Sequence, residues 1–209
     1  MTETPHTPVD HYTPESLKEA HELIVPYIHR TPAMQSRQLN ELAGAELFFK
    51  AENFQRGGSY KIRGATHALI RLRQSRDAGG VVTHSSGNFA QALSLAARSL
   101  GMQAHIVMPE NAPKVKREAV SSYGGQVVLC APTLEAREAE AARIERETGA
   151  AFIPPSNDPM VLLGQGTACL ELLETPPELD RVVAPVGGGG LLAGTSLACA
   201  FFGRDCEPV

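Results

Sequence analysis

Tryptophan is absent, aromatic residues make up only 5% of the chain, and no apolar run approaches the roughly 20 residues a membrane-spanning helix needs. Charge of either sign is not in excess: 20% of residues are charged and the net charge is −4, so the electrostatic footprint of a nucleic-acid or anionic-membrane binder is missing. Paired cysteine spacings are missing too. Cys130, Cys169, Cys199 and Cys206 lie far apart, which argues for buried reduced thiols and against a zinc site or a disulfide framework. Neither HExxH nor GxSxG occurs, which removes the local signatures of zinc hydrolysis and of a Ser-His-Asp hydrolase. The first residues have neither a basic start nor an apolar core, so a cytoplasmic protein with no metal, no nucleic acid and no membrane partner is expected.

What is present is an ordinary globular composition, 43% hydrophobic over 209 residues, enough to bury roughly 70% of the unfolded surface. After a polar, proline-containing arm at residues 1–12, Thr13-Pro14-Glu15 predicts a helix start, with the helix running to Ile28. A helix is expected over residues 35–42 and a strand over residues 45–52. From residue 60 onward, helix-length segments alternate with short β-branched runs. Helices are expected over 60–74, 85–100, 113–123, 134–148, 160–173 and 191–202, and strands over 81–84, 105–108, 126–129, 151–153 and 181–186. Such alternation means βαβ units and an α/β fold with parallel sheet covered on both faces, and ligands in these sheets sit beyond the carboxyl ends of strands. Three turns have that position, at residues 85–88, 154–157 and 187–190.

The stretch from Gly57 to Ala65 opens a helix with Lys61 in its first turn. If Ser59 is the N-cap, the positive helix end disfavours the ammonium form, raising the fraction of free amine that a Schiff-base nucleophile needs. An ordinary solvated lysine is the competing reading. The run Arg181-Val-Val-Ala-Pro-Val followed by Gly187, Gly188, Gly189 and Gly190 is a strand running through glycines into a helix, suited to wrapping backbone N–H groups around a phosphate. Gly188-x-Gly190-x-x-Ala193 also satisfies the dinucleotide fingerprint, and a packing turn is the third reading. The fingerprint requires a second strand ending in an acid, and residues 203–208 do not read as a strand, which favours the phosphate cup. Ser85, Ser86, Gly87 and Asn88 either bind a carboxylate at a helix start or merely cap that helix.

Together these segments resemble the fold type II pyridoxal-phosphate enzymes, most closely the serine/threonine dehydratase and serine racemase branch. The resemblance is carried by Phe49-Lys-Ala-Glu-Asn-Phe-Gln55 leading to Gly58-Ser-Tyr-Lys-Ile-Arg-Gly-Ala65, by Ser85-Ser-Gly-Asn88, by Gly164-Gln-Gly-Thr167 and by Pro185-Val-Gly-Gly-Gly-Gly-Leu-Leu-Ala-Gly194, in family order. It implies two doubly wound parallel-sheet domains, a large one from residues 1–79 and 158–209 and a small mobile one over 80–157. The rest of the large domain, roughly another third of a relative's length, lies beyond Val209.

Residue by residue, the resemblance makes Lys61 the Schiff-base lysine that also moves the Cα proton. Asn88 matches the contact to the ring hydroxyl, and Gly187 to Gly190 match the phosphate cup. Ser85, Ser86 and Gly87 match the substrate-carboxylate loop, and Ser86 also matches the second acid/base of racemases. Phe89 stands where the family commonly has histidine. The implied activity is dehydrating deamination of L-threonine or L-serine with pyridoxal 5'-phosphate, in a homodimer or higher homo-oligomer of the full-length form. Racemisation of serine or an aspartate-type substrate, and hydroxy-amino-acid dehydration, are the close alternatives. An inactive fragment is the alternative of another class.

Overall fold

The computed structural model describes residues 12–76, 78–175 and 178–209. The first helix, α1 (Pro14–Ile24), starts behind a reciprocal cap in which Thr13 Oγ1 accepts from the Ser16 amide at 3.1 Å and Ser16 Oγ accepts from the Thr13 amide at 2.9 Å. It ends four residues before the expected Ile28, because Pro26 has no N–H to give and its ring would meet the carbonyl one turn back; a 3₁₀ turn over Val25–Tyr27 follows.

A hairpin of two-residue strands, β1 (Ala33–Met34) and β2 (Phe49–Lys50), encloses α2 (Arg37–Ala43). The strand expected over residues 45–52 is therefore only Phe49–Lys50, and its pairing is antiparallel. Its aromatic alternation does not report a two-sided core: Phe48 packs into the interior, whereas Phe49 is 45% exposed. Two 3₁₀ turns then deliver the chain to α3 (Lys61–Ser75).

The next segments alternate as expected: β3 (Val81–His84), α4 (Asn88–Ser99), β4 (Ala104–Pro109), α5 (Lys114–Ser122), β5 (Gln126–Cys130), α6 (Leu134–Thr148) and β6 (Ala151–Phe152). Their strands form one parallel sheet in the order β5-β4-β3-β6. Side chains alternate across it. Val81, Ile106 and Met108 join α3 and α4 in the largest core, while Val82 and Val107 meet Ala141 and Ile144 of α6 on the other face. The sheet is thus doubly wound, and all four strands fall within residues 80–157.

A second core gathers Leu17 and Ala20 of α1, Leu163 and Leu170 of α7 (Pro159–Leu173), Val182 of β7 (Arg181–Val182) and Ala198 of α8 (Gly190–Phe202). The strand expected over residues 181–186 is shorter in its regular part. Pro185 cannot donate to a ladder, and Val183 and Val186 are exposed. Residues 203–208, expected not to form a strand, contain β8 (Glu207–Pro208), which pairs in parallel with β7; Ala184 and Val209 extend the bonding. In place of a second complete doubly wound sheet, the described residues hold this parallel pair packed under α1, α7 and α8.

Helix α7 crosses α3 and α8 at glycines. A Cβ on Gly164 would lie 2.6 Å from Gly64 Cα, and one on Gly194 would lie 2.5 Å from the Gly166 amide, so the three helices meet backbone to backbone. The Gly164-Gln165-Gly166-Thr167 segment is accordingly a packing device. Among the described residues no helix is long and apolar enough to cross a membrane.

Candidate active site

Two left-handed glycines, Gly57 (φ 70°) and Gly58 (φ 72°), turn the chain into α3. The regular helix begins at Lys61 with Tyr60 at its cap and no side-chain capping bond, so the expected Ser59 cap is not made and Lys61 is the first helical residue, not the second. The side chain is half-buried, and its Nζ rests 4.9 Å from the centroid of the Tyr60 ring. Among the described residues no carboxylate lies within ion-pairing distance of it.

Two positions after Lys61, Arg63 centres a charge cluster that sequence reasoning missed. Arg63 is fully buried and grips two carboxylates at once. Its Nε and Nη2 donate to Glu52 at 2.8 Å each, and Nη1 and Nη2 donate to Glu171 at 2.8 and 2.9 Å. Lys50 Nζ donates to Glu171 and to the Thr31 carbonyl, both at 2.6 Å, and His21 Nε2 lies 3.0 Å from Glu171. Two cations face two anions, so the buried charge cancels. Burial opposes ionisation of Glu171, yet hydrogen bonds from His21, Arg63 and Lys50 outweigh it and hold the carboxyl well below its usual range. A usable signal was present: Glu171 is the only charged residue in α7, and Arg63 sits in the apolar start of α3.

The turn at residues 85–88 leaves the carboxyl end of β3. Ser85 is anchored by its amide to the Val107 carbonyl at 3.2 Å, and its Oγ accepts from the Gly87 amide at 3.3 Å. Ser86 is half-buried, Asn88 is exposed, and α4 begins behind Gly87 with no side-chain cap. Phe89 is turned away into the main core. On the neighbouring strand the turn at residues 154–157 leaves β6, and His84 and Phe152 stack across the two strands at 5.3 Å. That second turn is itself filled from within: Asp158 caps α7 by accepting from the Met160 and Val161 amides, and Ser156 packs so closely on the third turn that a Cβ on Gly188 would lie 2.3 Å from its hydroxyl.

The third turn, Gly187 to Gly190, starts α8. Gly189 is left-handed (φ 80°), a conformation that a side chain would strain, and no side chain caps the helix. A Cβ added at Gly187 or Gly189 would meet nothing within 4 Å, so the turn is open on that side, and no side chain is bonded to the amides of the helix start. That is the cradle an anionic ester requires. The dinucleotide reading finds no free acid on the second strand, because Glu207 is bonded to Arg181 Nε at 3.0 Å. The first two turns thus leave adjacent strands, and Ser156 joins the second to the glycine turn, while Lys61 makes no hydrogen bond to any of them among the described residues. A groove of about 720 Å³ lined by Arg71, Phe152, Asp158 and Met160 lies apart from the predicted residues and touches none of them.

Known proteins resemble this chain in sequence and in fold. Residues 24–207 match the family model described as pyridoxal-phosphate dependent enzyme. Serine racemase of Arabidopsis thaliana is 51% identical over 183 residues, which are 88% of this chain and 55% of that protein. The beta-hydroxyaspartate dehydratase of Paracoccus denitrificans is 50% identical over 185 residues, 88% of this chain and 59% of that protein. The crystal structure of serine racemase from Dictyostelium discoideum superposes with a TM-score of 0.88 at 44% identity, over 93% of this chain and 65% of that one. The chain thus spans well under two thirds of the curated relatives' length.

Proposed function

Because the chain belongs to the pyridoxal-phosphate dependent enzyme family, we propose that Lys61 is the amine that carries the cofactor, that the glycines 187–190 hold its phosphate, and that the whole enzyme removes water from a small 3-hydroxy amino acid such as L-serine or L-threonine. One observation carries the reading. Helices α1, α2, α6 and α7 are each capped by a side chain of their own, whereas α3, α4 and α8, which bear the predicted residues, begin uncapped, as does α5 behind Pro113.

When bound, pyridoxal phosphate supplies an electron sink for negative charge developing at the substrate Cα. The protein's part is positional and acid-base. Backbone amides of the glycine turn and the positive end of α8 bind the phosphate. Asn88 offers its amide to the ring hydroxyl. Ser85, Ser86 and Gly87 hold the substrate carboxylate with hydroxyl and amide donors, which orients the Cα–H bond. Lys61 takes the Cα proton; the β-hydroxyl leaves with a proton as water, and one water then hydrolyses the dehydrated amino acid to a 2-oxo acid and ammonia. Residues 80–157 close over the substrate against residues 1–79 and 158–209, and the full-length protein is a homo-oligomer.

A second reading, racemisation, is favoured by Ser86: half-buried, with a hydroxyl that bonds to no group among the described residues, it is free to return a proton from the opposite face. The test is to add pyridoxal phosphate and record the visible spectrum, then trap with borohydride and map the labelled peptide. Label on Lys61, lost in Lys61→Ala, is expected; label elsewhere, or none, overturns the proposal. In the full-length protein, 2-oxo acid release from L-serine, L-threonine and hydroxyaspartate identifies the substrate, and racemisation lost in Ser86→Ala with elimination retained identifies the second base.

A further inference from the structure

Away from the candidate site, three thiols lie in a row. Cys199 Sγ on α8 is 3.8 Å from Cys169 Sγ on α7 and 3.9 Å from Cys206 Sγ, which follows the turn after α8. Cys199 and Cys206 are seven residues apart in the chain and meet because Gly203 lies between them: a Cβ there would be 2.8 Å from Cys206 Cβ and 3.0 Å from Cys199 Cα. Among the described residues no group of three His, Cys, Asp or Glu is arranged to hold a metal ion, so the row is not a ligand set.

The two gaps are not equivalent. Closing either to a disulfide requires the sulfurs to approach to about 2.05 Å. Helices α7 and α8 already touch backbone to backbone at Gly166 and Gly194, so the Cys169–Cys199 gap is bounded by two elements that cannot move closer. Cys206 lies outside both helices, in the turn between Gly203, whose carbonyl accepts from its amide, and β8, and it is the most exposed of the three at 7%. The middle sulfur alone has a neighbour on each side. As a thiolate it accepts S–H bonds from Cys169 and then Cys206, which draws Cys199 down to about 7, whereas burial pushes Cys206 up to about 11.

We propose that Cys199 and Cys206 are an oxidisable pair that a hydroperoxide converts to a disulfide. The Cys199 sulfur attacks the peroxide; the O–O bond breaks, the leaving oxygen takes a proton, and Cys199 becomes a sulfenic acid. The Cys206 sulfur then attacks that sulfur, the S–O bond breaks, and the hydroxyl departs as water with the Cys206 proton. Two thiols lose two electrons and two protons, and one hydroperoxide is reduced to water and an alcohol, or to two waters from hydrogen peroxide. The step is independent of the cofactor reading.

The experiment treats the native chain with hydrogen peroxide, blocks remaining thiols and digests without reductant. Trypsin puts Cys169, Cys199 and Cys206 on three different peptides, because Arg181 and Arg204 separate them. The expected result is loss of two thiols per chain, a Cys199–Cys206 linked peptide pair that dithiothreitol dissolves, and a dimedone adduct on Cys199 in Cys206→Ala. Retention of all four thiols, a Cys169–Cys199 link, or thiol loss confined to Cys130 overturns the proposal. Cys199→Ala, with its fold checked by circular dichroism, is expected to abolish the loss of Cys206; loss of Cys206 in that variant equally overturns it.

Discussion

The same chemical problem, a polar group removed from water, is solved in two opposite ways in this molecule. At the closed places the chain satisfies itself: Asp158 fills the start of α7, the Arg63 cluster balances two buried cations against two carboxylates, and His67 sits between a donor and an acceptor. At the open places, α4 behind Gly87 and α8 behind Gly189, amide donors are left with no side chain to meet them. Since buried donors are nearly always paired, the contrast separates groups that hold the fold together from groups that, on the proposed function, await a ligand. Changes at closed places should cost stability and spare cofactor binding; changes at open places should do the reverse.

The largest effect is expected in the charge cluster. Glu171→Ala leaves Arg63 and Lys50 without their shared carboxylate, and loss of about 3–5 kcal/mol is expected by urea unfolding. Next comes acid. His67 donates from Nδ1 to the Met160 carbonyl at 2.7 Å and accepts at Nε2 from Arg71 at 3.3 Å, so a second proton would face a donor; burial, foremost, holds it neutral down to about 4. Between the ordinary 6.5 and that value the unfolded chain binds a proton that the native one refuses. Stability is therefore fully present above pH 6.5 and falls on acidification toward 4, by on the order of 3 kcal/mol, a slope that His67→Gln should flatten in unfolding measured across that window.

At the open end, Gly87→Asp places a carboxylate where the substrate's own is proposed to bind. Its backbone is extended and a Cβ there is unobstructed. We expect stability to hold or rise by a few tenths of a kcal/mol while KM for the amino acid, measured in the full-length protein, rises about tenfold or more. The smallest effect is expected for Asp158→Ala, about 1 kcal/mol of stability with the cofactor spectrum unchanged. A spectrum altered by Asp158→Ala, or a KM untouched by Gly87→Asp, would break the contrast.

The sequence was most informative where structure is local. Helix α6 has the expected bounds because Thr133 caps it and a left-handed Gly149 ends it, both readable in one window. The strands of the four-stranded sheet were legible as short apolar runs between turn residues. The Arg63–Glu171 pair was not, since its partners stand 108 positions apart: an apolar setting marks each of them locally, but nothing local says that they meet. The β7–β8 pairing was hidden for the same reason, compounded by prolines that suppress a strand signal. Lys61 and the glycine turns were legible as motifs, because tight turns demand particular residues, but the way Ser156 seals Gly188 is a contact only three dimensions reveal.

The glycine crossings of α3, α7 and α8 carry one more implication. Lysine 61 and the glycine turn stand on separate helices, each set against α7 by main chain on main chain, at Gly64–Gly164 and at Gly166–Gly194. Such a joint has little give. Enlarging Gly164 or Gly194 by one methyl group would act as a wedge, shifting the reach of the amine relative to the anion cradle, so the tolerance of the whole arrangement is fixed by the thickness of a hydrogen atom.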